Sequence, residues 1–253
     1  MVDCRRGRTA RDPEYKVVRN EKMCAVITCR LRPVGLAFAP LMDRAYSCSD
    51  ALRAKSMPKY LRSAFMAIIA VASLQLSSPK TYFIEDGKAV SGFDAGDRDL
   101  ADLALAAWSR ESGGRLKFIR AAQPADALIR IRWISAADGL YGETQRLTVN
   151  GKPGSVVNVS PSVTGLGEPL STLASRDRLL RDTIVYLTCV HEIGHAIGMQ
   201  HTRNFDDIMY SFAYGGDFVE YFSRYRRKIK SRADIATVSG LSPNDVTVLK
   251  SLF

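Results

Sequence analysis

The 253 residues include 36 Lys and Arg against 26 Asp and Glu, and 46% of them are apolar and 25% charged, the balance of an ordinary globular protein. The formal charge of +10 is concentrated in residues 1–76, so the rest is close to neutral and charge gives no ground for a nucleic-acid function. Four of the five cysteines, Cys4, Cys24, Cys29 and Cys48, precede residue 57, which excludes a disulfide framework for the remainder.

Residues 1–56 show neither a helical nor an alternating period and carry Pro13, Pro33 and Pro40 among scattered arginines, so no fold is assigned to them. They read as a disordered extension or as a segment ahead of a misassigned start. The second reading follows from residues 57–76. There Met57-Pro-Lys-Tyr-Leu-Arg-Ser supplies a basic n-region with Lys59 and Arg62, and the apolar run Ala64 to Leu76 follows with small residues at Ala70, Ala72 and Ser73. This is the build of a secretory signal peptide with cleavage near Ala72 to Ser78. The run is shorter than the about 20 residues of a spanning helix, so export without a stable membrane span is expected. Retention as a signal anchor, with the rest of the chain outside, is the alternative.

A mixed domain is expected over residues 80–253. Thr81 to Ile84 reads as a first strand. Asp94, with Asp97 three residues on, reads as the N-cap of a helix that buries Leu100, Leu103, Ala104, Ala107 and Trp108 and stops at Gly113-Gly114. Leu116 to Ile119 and Ala127 to Ile134 read as strands, the latter alternating Ile129, Ile131 and Trp133 with solvent-facing Arg130 and Arg132. Asn150-Gly151 marks a turn, and Ser155 to Ser160 a further strand.

All three histidines of the chain lie in one stretch, His191-Glu-Ile-Gly-His-Ala-Ile-Gly-Met-Gln-His201. A helix over Asp182 to Ala196 places His191 and His195 one turn apart on the same face, where both imidazoles reach one metal ion. Glu192 is adjacent to the first ligand, with its carboxylate in reach of a water on the metal. Gly198 ends the helix in a left-handed turn that brings His201 back as a third ligand. Three nitrogen ligands leave the fourth tetrahedral position of Zn²⁺ open, the arrangement of a catalytic rather than a structural site. Cys189 in the same helix reads as a small buried apolar residue.

Downstream, Asp207-Ile-Met-Tyr210 is followed by Ser211 to Gly216 and by Phe218, Tyr221, Phe222 and Tyr225 at helical spacing, an aromatic stripe expected to pack on the domain. Arg226, Arg227, Lys228, Lys230 and Arg232 read as an exposed charged face. Ser242, Pro243 and Asp245 form the N-cap, first position and capping box of a final helix whose Val246, Leu249 and Leu252 are expected to face the core.

The histidine stretch with Gly198 and the downstream Met209 resembles the metzincin pattern H-E-x-x-H-x-x-G-x-x-H with its methionine turn, and the Leu-Ser-x-x-Asp helix start resembles the matrixin branch (peptidase M10). The resemblance implies an α+β catalytic domain with a twisted mixed sheet, an antiparallel edge strand and a zinc-binding active-site helix. It implies a secreted, monomeric zinc metalloendopeptidase with metal ligands His191, His195 and His201. In such an enzyme Glu192 is the general base toward a zinc-bound water, and Met209 forms the floor under the metal. The edge strand is placed in the Gly139 to Thr148 region, where an extended protein or peptide substrate pairs by main-chain hydrogen bonds and one pocket sets preference. Calcium is implied only as possible, since no Asp/Asn loop matches an EF-hand. In matrixins the acidic residue of the last helix helps to tie down the N-terminus.

The chain departs from animal matrixins in having no histidines left for a second zinc, and in Thr202 and Ser211 at positions where relatives carry serine and, in some, a tyrosine. None of the four early cysteines stands in the Pro-Arg-Cys-Gly context of the matrixin prodomain switch. Two further readings share the metal: a non-catalytic zinc-binding interaction module, against which the intact Glu192 argues, and a hydrolase of a non-protein amide.

Overall fold

The computed structural model describes residues 78–135 and 141–253. The expectations for residues 1–56, for the 57–76 signal peptide and for Gly139 lie outside these described residues. Five strands, β1 (Lys80–Ile84), β2 (Phe118–Arg120), β3 (Ile129–Trp133), β4 (Gly142–Val149) and β5 (Lys152–Val159), form one sheet in the order β2-β1-β3-β5-β4. All neighbours are parallel except β4, which runs antiparallel to β5 and forms one edge. The β4–β5 hairpin turns at Asn150-Gly151, both at positive φ, as the sequence leads one to expect of Asn-Gly.

Among the described residues five α-helices accompany the sheet: α1 (Asp97–Glu111), α2 (Leu170–Arg176), α3 (Arg178–Ile197), α4 (Phe218–Arg226) and α5 (Pro243–Leu252). The long α3 is buried along most of its length between the sheet and α1. Trp108 on α1 is fully buried and its indole N–H donates to the Val190 carbonyl at 2.9 Å, so the core anchor also braces the turn just before His191. Among the described residues no helix is long and apolar enough to cross a membrane.

Several boundaries differ from the sequence reading, each for a physical reason. Helix α3 starts at Arg178, one turn before Asp182, because the Asp177 carboxylate caps the Leu179 and Leu180 N–H groups at 3.0 and 3.1 Å. In the added turn Arg181 is buried and paired with Asp97, and it also donates to the carbonyls of Gly92 and Pro161. Asp97 is therefore a buried ion-pair partner. Helix α1 begins at Asp97 after Gly96, while Asp94 and Asp97 close the preceding turn through Gly96 N–H and Asp94 N–H.

The basic segment after α4 is only partly a solvated face. Arg226 bonds the Asp177 carboxylate and the Ile229 carbonyl, and Arg232 bonds Asp182 and the Gly96 carbonyl, so two of its arginines tie the C-terminal part to α1 and α3. The aromatic stripe of α4 packs inward as expected, with Tyr221, Phe222 and Tyr225 buried. In α5, Leu249 is fully buried but Leu252 is 45% exposed, because Val248 and Phe253 cover the core at this end instead; Val246 is half-buried.

Candidate metal centre

Helix α3 delivers His191 and His195 one turn apart, and Gly198 at φ 109° closes its end with its own N–H on the His195 carbonyl. Met199 N–H then returns to the Gly194 carbonyl, the chain reverses, and His201 faces the other two histidines. The ring nitrogens of the three lie within 4.8 Å of one another, the single such cluster of three or more ligating side chains among the described residues. His201 Nε2 is 3.3 Å from His191 Nε2 and 3.0 Å from His195 Nε2.

The protons are assigned by what lies on the far side of the rings. His191 Nδ1 is 2.6 Å from the Ile208 carbonyl and His195 Nδ1 is 3.0 Å from the Met199 carbonyl. A carbonyl only accepts, so both Nδ1 atoms carry their hydrogen and both Nε2 lone pairs point into the centre. Converging lone pairs repel unless a cation sits among them. Nitrogens about 2.0–2.1 Å from one tetrahedral zinc stand about 3.3 Å apart, close to the spacing seen, so the donor set fits that ion.

Burial and the neighbouring imidazoles keep the triad neutral. Desolvation, then the charges of His195 and His201, hold His191 well below its ordinary value. Desolvation lowers His195, with Arg146 adding to it, and desolvation together with His195 brings His201 down to about 4. Neutral imidazole is the metal-binding form.

The methionine turn lies beneath. Met209 is fully buried, and a Cβ added at Gly194 would stand 2.5 Å from its sulfur, so the glycine inside the histidine motif is what lets the turn approach the helix. Asp245, at the start of α5, accepts from Ile208 N–H at 2.7 Å and Ser242 N–H at 2.8 Å, while Tyr221 O–H donates to the Ile208 carbonyl at 2.9 Å. Burial raises the Asp245 pKa, and these backbone donors oppose the shift. The carboxylate that the resemblance assigns to the N-terminus thus braces Ile208, the residue whose carbonyl orients His191. Asp207 accepts from Ser242 O–H and from the Asn204 and Asn244 amides, joining the same turn to α5 a second time.

Glu192 is 1% exposed and lies under β4. Desolvation pushes its carboxyl up to about 8, Glu143 adds to the rise, and a hydrogen bond from Thr144 opposes it. Thr144 Oγ1 is 2.8 Å from both the Glu192 carbonyl and Glu192 Oε2. Gly142 covers Oε1 so closely that a Cβ there would approach it to 2.7 Å. Beside His191 and Glu192 opens a narrow apolar recess of about 20 Å³, room for about one water, walled by Leu166, Leu187, Phe212, Phe218, Tyr221 and Phe222.

The sequence reading placed His191, Glu192, His195, His201 and Met209 in one site, and the structure brings them together. It did not single out Gly142, Thr144, Asp207 or Asp245 as part of the centre. Only the period-two alternation of β4, which sets Gly142 and Thr144 on one face, hinted at the first pair. Cys189 is fully buried, and burial, with Asp97 and Glu192 adding to it, raises its thiol pKa, so it is packing rather than reactive sulfur.

No curated protein matches the sequence. The family model described as matrixin, peptidase M10, matches residues 77–220, which include the histidine-bearing helix α3, the Met209 turn and the antiparallel edge strand described above. A zinc metallopeptidase is thereby established at the level of the family: the chain belongs to the matrixins.

Proposed function

We propose that this chain is an endopeptidase that holds one catalytic zinc on His191, His195 and His201 and uses Glu192 as its general base. The observation that carries the reading is the convergence of the Nε2 atoms, with the Nδ1 hydrogens of His191 and His195 engaged by carbonyls. Zinc, when bound there, supplies Lewis-acid polarisation and lowers the pKa of a coordinated water.

The protein's own groups do the rest. As the edge strand of the sheet among the described residues, β4 is where an extended substrate adds by main-chain hydrogen bonds, and the apolar recess beside His191 is where one substrate side chain enters. Glu192 takes a proton from the water whose oxygen attacks the peptide carbonyl carbon. As the C–N bond breaks, the same carboxyl returns that proton to the leaving amine. A carboxyl raised by burial suits both halves of this cycle, and a dication on the neighbouring histidine draws its value back toward neutrality or below.

Residues 57–76 support export, with removal of the signal between Ala72 and Ser78 and the catalytic domain acting outside the cytoplasm; mass spectrometry of the native N-terminus tests that part. The function itself is tested with casein, with and without a chelator, beside Glu192→Ala. Cleavage by the zinc-loaded parent, abolished by the chelator and by the substitution while Glu192→Ala keeps its zinc, is the expected result. One zinc per chain with no cleavage of any protein overturns the reading.

A further inference from the structure

Strand β4 has two working sides. Among the described residues it is an edge strand of the sheet, while along its inner face the buried Gly142 and Thr144 follow at period two. Gly142 abuts Glu192 and Thr188, and Thr144 contacts Glu192. The inner face therefore lies against α3 beside the metal centre. Thr144 is 2% exposed, and a buried hydroxyl at this place is held by function or by hydrogen bonding, since burial without partners is unfavourable.

We infer that Thr144 is a positioning residue for the reaction: its hydroxyl fixes one oxygen of the Glu192 carboxylate against β4, so that the strand which docks the substrate also sets where the base stands. The inference rests on the proposed role of Glu192 as base. Glu192 has three side-chain torsions and would otherwise sample several rotamers. Here Oε2 is held at 2.8 Å by Thr144, while Oε1 lies beside Gly142 in space that a Cβ there would crowd. The carboxylate is held at one oxygen, and the glycine leaves the other its place. Thr144 Oγ1 also lies 2.8 Å from the Glu192 carbonyl, so its one hydrogen is shared between the side chain and the helix backbone of the same residue. Because Thr144 pairs with Val157 on β5, the position of the base is referred to the sheet rather than to a loop.

The test compares Thr144→Val, which keeps shape and removes the hydroxyl, with Thr144→Ser, which keeps the hydroxyl, in the full-length zinc-loaded chain on a fluorogenic peptide. The expected result is a fall in kcat of roughly 10–100-fold for Thr144→Val, with KM and zinc content near the parent, and recovery of most of the loss in Thr144→Ser. A parental kcat in Thr144→Val overturns the inference, as does an equal loss in both variants, or a loss of kcat that comes with loss of zinc. A cycle of Thr144→Val, Glu192→Gln and the double variant, read by denaturant midpoint, needs no activity. Non-additive midpoints support the contact, and additive ones overturn it. An inactive parent with non-additive midpoints refutes the proposed function and leaves the contact standing.

Discussion

Replacing Gly142 by alanine places one methyl group where the geometry says it does most harm to chemistry and little to folding. Gly142 is not at positive φ, so alanine is free of backbone strain there. Its Cβ would lie 2.7 Å from Glu192 Oε1, 3.0 Å from Glu192 Cγ and 2.9 Å from Thr188 Cγ2. Comfortable separations are about 3.5 Å, so the carboxylate or the strand must yield by roughly 0.5–1 Å. The carboxylate resists through Thr144, and the strand resists through its full ladder with β5. The offending atoms belong to side chains, so the stability cost is on the order of 1–3 kcal/mol, typical of overpacking. A reacting group displaced by about 1 Å loses on the order of 100-fold in rate, so kcat is expected to fall by roughly 10–100-fold. The assay is peptide cleavage at saturating substrate, with zinc per chain and a circular-dichroism melt on the same sample. A kcat within about twofold of the parent, with zinc bound, would refute the argument that Glu192 works from under β4.

Gly194→Ala sets a Cβ 2.5 Å from the Met209 sulfur and 2.9 Å from Trp108 Cζ2, at a point where helix, methionine turn and α1 all meet. It is expected to lower Tm by roughly 3–10 °C, and an unchanged melt contradicts a packed floor. Asp245→Ala leaves the buried Ile208 and Ser242 N–H groups without their acceptor and loosens the carbonyl that orients His191. Zinc affinity, read by competition with a chromophoric chelator, should drop about 10–100-fold, and parental affinity argues against the brace. Acid acts through the triad. The folded values of His191 and His201, the latter about 4, lie below the ordinary 6.5 of the unfolded chain, so the unfolded state takes up protons first. Their contribution to the stability of the zinc-free protein is therefore complete above that ordinary value and declines as pH falls toward 4. Zinc is expected to stay bound at about pH 6 and to leave near pH 4, as read by dialysis and metal analysis; release already at about pH 6 contradicts the assignment.

The histidine cluster was legible because its information is local. An i, i+4 histidine pair, a glycine that takes a positive φ, and a third histidine just beyond it are fixed by the geometry of one helix and one turn. The capping box Ser242–Asp245 and the Asn150-Gly151 hairpin were legible for the same reason. What stayed hidden depends on contacts distant in sequence. Arg181 reads as a polar surface residue until Asp97, 84 positions away, neutralises it in the core, and for that reason the helix started too late in the sequence reading. Arg226 and Arg232 reach partners 49 and 50 residues upstream, which no charge run reveals. Thr144 meets Glu192 across 48 residues, through a register that is set only when β4 pairs with β5 and the sheet packs on α3. Leu252 continued a helical period, but the core there is covered by Val248 and Phe253 instead.

The central claim is that three histidine nitrogens hold one zinc with a position left open. X-ray absorption at the zinc edge of the full-length protein tests it most directly. The account predicts one zinc per chain, with three imidazole nitrogens and a single further oxygen at about 2.0–2.1 Å. A shell containing sulfur, or four protein nitrogens, or zinc that persists unchanged in His201→Ala, would contradict it.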